Sequence, residues 1–487
     1  MKTLIRNLLI VTVNDRDEVI EDGALVVDGP RLGYVGSAVG IAPERFDRVI
    51  DGRRFIALPG LVNAHCHSPA NLFRGLFPGR PLEIWRSYWR AALRPMGEED
   101  FYASALLGAM EMLKSGTTTV LDHFFGNRQL RFMGAEAAIR AMRALGLRHV
   151  IALTLSDKRY EETVPLDASA PPPDEIQRMT RSETADVQAW LEECEALISE
   201  HHAPEKLTIC CPGPSAVQRC TDELLAGAAA LARRRSLPLH IHLAETKAQK
   251  IMGERLYGRS LTQHLDSLGV LGPNLSLAHS IWIEKEDIDL FAKSGATAVH
   301  NPASNLRLGS GLAPLPQFLA AGARVALGSD GAASNDGQNM FDAIRLASLI
   351  HNLSDPDFRA WVTPLQALRM ATREGARALG LSAGALAPGN LADIVLLRRD
   401  TAAFTPLNNV VHQLAFCESG SSAETVIVNG EIVVEGGRLT RMKEAAVLSA
   451  AAAALARIRP EVEREMAAAR AMEPALTEMY FRVCRSR

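Results

Sequence analysis

Residues Phe55–His67 read FIALPGLVNAHCH, an apolar run that closes on Asn63-Ala64-His65-Cys66-His67. Seven further runs of the same buried type follow at Thr117–Phe124, Val150–Leu155, Leu207–Cys211, Leu237–Leu243, Leu275–Ala278, Ala296–Val299 and Ala323–Leu327. Between most of them lie amphipathic or Ala/Leu-rich stretches with helical spacing, such as Tyr102–Lys114, Ala135–Leu145, Asp222–Arg235 and Leu261–Leu268. Alternation of this kind predicts an α/β fold, a parallel (β/α)8 TIM barrel. Chemistry in such barrels sits at the carboxyl ends of the strands, so the residues that end each run are the candidates.

Outside this region the texture changes. Short strand-like segments at Thr3–Val13, Ala24–Val27 and Gly33–Val35 return in kind at Asn390–Leu397 and Glu424–Val434, the latter with an Asn-Gly hairpin signal. Neither group can bury a core alone, so the two chain ends are expected to pair into one small β domain. The expected division is 1–57 with 384–440 for that domain, 58–383 for the metal-binding barrel and 441–487 for a helical tail. The Pro-rich, charged stretch Ser156–Glu183 is too long for a plain connection, and reads either as a mobile lid or as disorder.

Composition excludes several roles. Lys+Arg 53 against Asp+Glu 56 gives a formal net charge of −3 in 487 residues, so no field gathers nucleic acid or anionic lipid. No stretch is apolar enough to span a bilayer, and the N-terminal residues lack a signal-peptide pattern, which predicts a cytoplasmic protein. Seven scattered cysteines without a Cys-x-x-Cys point to reduced, mostly buried thiols.

His65 and His67 are two apart on a strand, so both imidazoles face the same way, as a zinc-like ion requires. Alone, the pair suits a packed core equally well. Other strand ends add His240-Ile241-His242-Leu243-Ala244-Glu245, then Ala278-His279-Ser280, then Gly328-Ser329-Asp330. Chance does not readily bring so many of 13 histidines to one rim.

The motifs LPGLVNAHCH, HLAET, AHS, NPASNLRLGSG, GSDGAASND and GNLADIVLL together resemble the amidohydrolase superfamily, in its mononuclear deaminase and chlorohydrolase branch. The resemblance runs to about Gly436. It implies a barrel with a small β-sandwich built from both chain ends, and metal ligands His65, His67, His242 and Asp330. It further implies Glu245 as proton shuttle, His279 as the group polarising the substrate and Asp330 as acceptor of a water proton. His240 is expected as a packed core histidine. The carboxylated lysine of binuclear relatives has no counterpart, since Lys206 precedes the fourth strand, so one divalent metal ion is expected, zinc first, with iron or manganese tolerated. Such an ion lowers the pKa of bound water to about 7.

The implied activity is hydrolytic deamination of an amino-substituted nitrogen heterocycle of pterin, purine, pyrimidine or triazine type. The alternative keeps the site and changes the leaving group, as for chlorotriazines, carbamates or ureas. Trp85 is expected to stack on a flat ring or to cap the barrel. Arg74, His123, Ser304 and Asn305, with Asn71 and Asn301, are candidate substrate contacts, although Ser304 and Asn305 also suit a purely loop-holding role. No paired arginines for an extended substituent are found, which favours a free base over a nucleoside. The expected partner is a small heterocycle, with neither nucleic acid nor membrane, in a homo-oligomer.

Overall fold

The computed structural model describes residues 2–166 and 186–485. In chain order its strands are β1 (Lys2–Val11), β2 (Val19–Asp28), β3 (Arg31–Ser37), β4 (Arg48–Asp51), β5 (Phe55–Pro59), β6 (Leu61–Cys66), β7 (Thr117–Phe124), β8 (Arg148–Leu155), β9 (Thr208–Pro214), β10 (Leu239–Leu243), β11 (Leu275–His279), β12 (Thr297–His300), β13 (Arg324–Leu327), β14 (Ile394–Arg398), β15 (Ala423–Val428), β16 (Glu431–Glu435) and β17 (Arg438–Leu439).

Two four-stranded parallel sheets, β6-β7-β8-β9 and β10-β11-β12-β13, carry the middle of the chain. Almost every residue of these strands is buried, because helices cover one face and the facing strands the other. This is why they read as continuous apolar runs rather than alternating ones. Backbone contacts join the sheets at both edges. Ala216, just past β9, bridges in parallel to His242 of β10, and the Asp330 N–H after β13 donates to the His65 carbonyl at 2.9 Å.

A nine-stranded sheet combines both chain ends, with β14 pairing antiparallel to β5 and β15, and β1 pairing with β2, β4 and β5. The run over Phe55–Val62 is therefore not one strand. β5 belongs to this sheet, where Pro59 pairs with Ile394, and β6 starts the parallel set after Gly60. The expected boundary after Ala57 falls inside β5. Gly60 is required at the crossing, because a Cβ there would stand 2.1 Å from Thr118 Oγ1.

The two parts are joined by a buried ion pair, Arg148 at the start of β8 with Asp393 just before β14, at 3.1 Å. After β17 a long helix, Glu444–Arg470, packs on the helices Leu82–Leu93 and Glu98–Lys114, and a last helix, Glu473–Arg485, packs on Leu82–Leu93 and on Lys247–Tyr257. Of the stretch expected as a lid, Ser156–Leu166 is described, with a 3-10 turn at Tyr160–Glu162; residues 167–183 lie outside the described residues.

Candidate active site

The carboxyl ends of β6, β10 and β11, with the turn after β13, deliver His65, His67, His242, His279 and Asp330 to one place, and Glu245 follows β10 by two residues. Every one of these side chains is buried. Their strand ends adopt left-handed backbone at Ala244, His279, Ser280 and Asp330 (φ between 44° and 73°), a strained conformation for residues other than glycine.

Second partners decide what each imidazole offers. His67 Nδ1 lies 2.7 Å from the His123 carbonyl and His242 Nδ1 2.6 Å from the Ser215 carbonyl. A carbonyl only accepts, so both Nδ1 atoms carry the proton and both Nε2 atoms keep a lone pair for the site. His65 Nδ1 meets His240 Nε2 at 2.8 Å, and His240 Nδ1 meets Ser276 Oγ at 2.6 Å. His65 Nε2 is buried with no hydrogen-bond partner, an orphan that a metal ion satisfies. Asp330 Oδ1 stands 3.4 Å from His65 Nε2 and 3.1 Å from His67 Nε2. Donor atoms of His65, His67 and Asp330 fall within 4.8 Å of one another, as do those of His65, His123 and His242. This set fits a divalent ion of zinc type.

Cys66, between the two histidines, faces away; burial pushes its thiol well up. The turn after His67 is tied by Asp122, whose Oδ1 accepts from the Ser68 N–H at 2.9 Å. Lys206 stands before β9, at the end remote from the site.

Two carboxyl groups of the site are driven in opposite directions. Burial, then the charges of Asp330 and Glu83, hold Glu245 well above the ordinary carboxyl range. Burial also acts against Asp330, but the His65 and His67 rings that stand beside its Oδ1 outweigh it and hold that carboxylate well below its usual value. Burial lowers His242, His123 and His240 far below ordinary histidine, and His65 to about 4, which keeps these rings neutral. His279 places Nδ1 at 2.9 Å from Asn305 Oδ1 and Nε2 at 3.8 Å from Glu245 Oε2.

A pocket of about 90 Å³ opens over this cluster and is lined by His67, His242, Glu245, His279 and Asp330 together with Trp85 and Phe125. Trp85 donates its indole N–H to the Ala333 carbonyl at 3.1 Å and stacks on Trp89. It is the one expected substrate contact among seven that lines the pocket. Arg74 turns away to pair with Glu111 at 2.8 Å. His123 lies behind His242, the rings stacked 4.6 Å apart, with Nε2 on the Gly213 carbonyl. Ser304 donates to Asp330 Oδ2 at 2.5 Å and Asn305 holds His279, so both act on site residues from behind. Asn71 is spent on the Ser68 and Ser104 carbonyls, and Asn301 sits against His279.

The pocket also holds residues that the sequence reading passed over: Glu83, Arg86, Trp89, Tyr160, Gln218 and Arg219. One signal existed for the helix Leu82–Leu93, where Leu82, Trp85, Arg86, Trp89 and Arg90 follow i, i+3, i+4, i+7, i+8 and form a single stripe over the site. His240 is buried as expected, yet it is more than packing, since its Nε2 fixes the His65 ring through Nδ1.

The family model for amidohydrolases matches residues 56–433. The chain belongs to the amidohydrolase family. A 5'-deoxyadenosine deaminase of Methanothermobacter thermautotrophicus is 36% identical over 445 residues, which cover 90% of this chain and 95% of the relative. A 5-methylthioadenosine/S-adenosylhomocysteine deaminase of Carboxydothermus hydrogenoformans is 32% identical over 444 residues, 91% of this chain and 94% of the relative. Among solved structures, an atrazine chlorohydrolase of Arthrobacter aurescens TC1 complexed with zinc superposes with a TM-score of 0.84 at 30% identity, covering 93% of this chain and 100% of that one. An adenosine deaminase of Xanthomonas campestris with bound zinc gives 0.80 at 27% identity, with 94% and 98% covered. This amidohydrolase is accordingly a metal-dependent hydrolase of C–N bonds in the deaminase and chlorohydrolase branch, and its cofactor is a divalent ion of zinc type.

Proposed function

We propose that the enzyme deaminates an amino-substituted heterocycle of adenosine type, with His65, His67, His242 and Asp330 holding one divalent ion. The observation that carries this reading is the convergence of His65, His67, His242 and Asp330 with Glu245 and His279 at one buried pocket, where Glu245 is driven above and Asp330 below the ordinary carboxyl range. A bound divalent ion supplies Lewis acidity, which makes water an effective nucleophile near neutral pH. Asp330 takes the proton that water gives up, with its other oxygen steadied by Ser304. Glu245 delivers its proton to the ring nitrogen next to the amino-bearing carbon; the proton held by Asp330 then passes to the amino group as ammonia leaves, and the proton of the new hydroxyl returns to Glu245 as the carbonyl forms. His279, its Nδ1 fixed by Asn305, presents Nε2 to the reacting centre and orients the attack. Trp85 and Phe125 supply apolar ring surface for a flat substrate.

The named relatives favour adenosine derivatives over the free base expected from the missing arginine pair. The superposition on a chlorohydrolase supports a second reading, the same site expelling a halide. Ammonia and chloride release by zinc-loaded enzyme, measured over adenine, adenosine, 5'-deoxyadenosine, 5-methylthioadenosine, aminotriazines and chlorotriazines, separates the two. Ammonia from the adenosine derivatives is expected. Chloride release alone establishes the second reading, and neither product rejects both.

The same reading takes the eight parallel strands as a closed (β/α)8 barrel and the nine-stranded sheet as the family's small β-sandwich, supported by the backbone contacts at both sheet edges. It keeps the barrel over about 58–383, the terminal segments 1–57 and 384–440 as the small domain and 441–487 as the tail. It also keeps a homo-oligomer in the cytoplasm. All seven cysteines are free, and among the described residues no helix is long and apolar enough to cross a membrane.

A further inference from the structure

Beside the catalytic pocket lies a second cavity of about 170 Å³. Leu82, Glu83, Ala248 and Leu308 border both spaces and form a shared wall between them. The far wall is the last helix, Glu473–Arg485, which contributes Met479, Tyr480, Val483 and Cys484, and Trp282 lines the same space. That helix lies beyond residues 56–433, the span of the family match, so the chamber is closed by a part of the chain outside that match.

The helix is built to stay there. Met472, Leu476, Met479 and Val483 are buried at a spacing that forms one apolar stripe. At its start, Glu473 accepts from Arg80 Nε at 2.6 Å and from the Tyr88 hydroxyl; near its end, Arg482 donates to the Pro165 carbonyl at 3.0 Å. Glu83, in the partition, accepts from the Thr246 hydroxyl at 2.5 Å and so has one oxygen already engaged. The remaining walls are predominantly aliphatic, thioether and aromatic, surfaces that favour apolar ligand groups and adapt to their shape.

We propose that this cavity is a second compartment of the substrate site, which receives an aliphatic or aromatic substituent remote from the reacting ring, and that the C-terminal helix thereby sets substrate selectivity. The inference rests on the deaminase reading of the pocket and deepens it by naming the substrate class, a heterocycle carrying an apolar arm. The compartment's shared wall with the catalytic pocket points to the occupant, because an arm on a ring held against Trp85 has this space next to it once the side chains of that wall give way.

The test uses full-length, zinc-loaded enzyme and 9-alkyladenines from methyl to hexyl. Burial of each added methylene predicts a rise in kcat/KM of about fourfold per step until the space is filled. Val483→Trp, which fills the chamber from the tail side, is expected to flatten the series, and Met479→Ala to move its maximum to longer chains. A flat series in the unaltered enzyme, or Val483→Trp lowering all members by one common factor, overturns the compartment. Calorimetric binding of the same series distinguishes the two readings: chain-length-dependent binding without turnover keeps the compartment and rejects the deaminase, whereas absent or length-independent binding rejects the compartment.

Discussion

His242 and His240 stand two residues apart on one strand and differ in what their ring nitrogens have left to give. His242 spends only Nδ1, on the Ser215 carbonyl, whereas His240 spends both, on Ser276 and His65. His242→Ala and Asp330→Ala are therefore expected to lose the metal and nearly all turnover, measured by metal analysis of dialysed protein. His240→Ala is expected to keep stoichiometric metal at saturation but to bind it about 10- to 100-fold more weakly in chelator competition. Emptying of the site by His240→Ala but not by His242→Ala is the opposite outcome and would reverse their roles. Glu245→Gln is expected to retain metal and lose about 10²- to 10⁴-fold in kcat. On the proposed mechanism Glu245 acts in its protonated form, so kcat/KM is expected to decline as pH rises through its elevated pKa. Glu83, also raised by burial, gives a stability test. The folded protein binds that proton more tightly than the unfolded chain, whose ordinary value is 4.5, so stability falls as pH rises from there through the folded value. Glu83→Gln is expected to flatten that segment of the stability profile in urea unfolding.

At the scale of elements, the strand ends were legible because a buried parallel strand must be apolar throughout, which makes a histidine or aspartate at its end conspicuous. The exits were less so. Gly328, between β13 and Asp330, has no room for a side chain, since a Cβ would lie 2.4 Å from Asn301 Oδ1 and 2.8 Å from His65 Cβ. Gly328→Ala is expected to lower both metal occupancy and Tm, because relief requires the His65 strand to move; a variant with full occupancy and unchanged Tm would contradict this packing. Ser304 and Asn305 show the limit of local reasoning. Their position just past a strand end suited substrate contact, yet the short helix Pro302–Arg307 turns both hydroxyl and amide back onto Asp330 and His279. Arg74 likewise had a good address, but Glu111, far along the chain, captured it.

For the whole molecule, the chain ends and the parallel strands are held together by the buried pair Arg148–Asp393, where Asp393 also accepts from the Asn429 N–H at 2.7 Å. Removing one member leaves a charge buried without its counterion. Asp393→Ala is expected to cost about 3–5 kcal/mol, read as a lowered urea midpoint, with metal stoichiometry preserved in the molecules still folded. A change below about 1 kcal/mol would show that water reaches Arg148. The tail, which by sequence offered only helical composition, bears on the site because its last helix closes the chamber next to the pocket.

Hydrophobic periodicity and the polar residues that interrupt it are local properties, and they made legible the alternation of strands and helices, the pairing of both chain ends and the histidines and acids at the strand ends, though not the split of the first run between two sheets. Which nitrogen each histidine offers, which carboxyl keeps its proton, and which neighbours serve the substrate rather than the scaffold were decided only by the tertiary structure. Those properties depend on burial and on partners brought together from distant parts of the chain, and no spacing along a single strand encodes them.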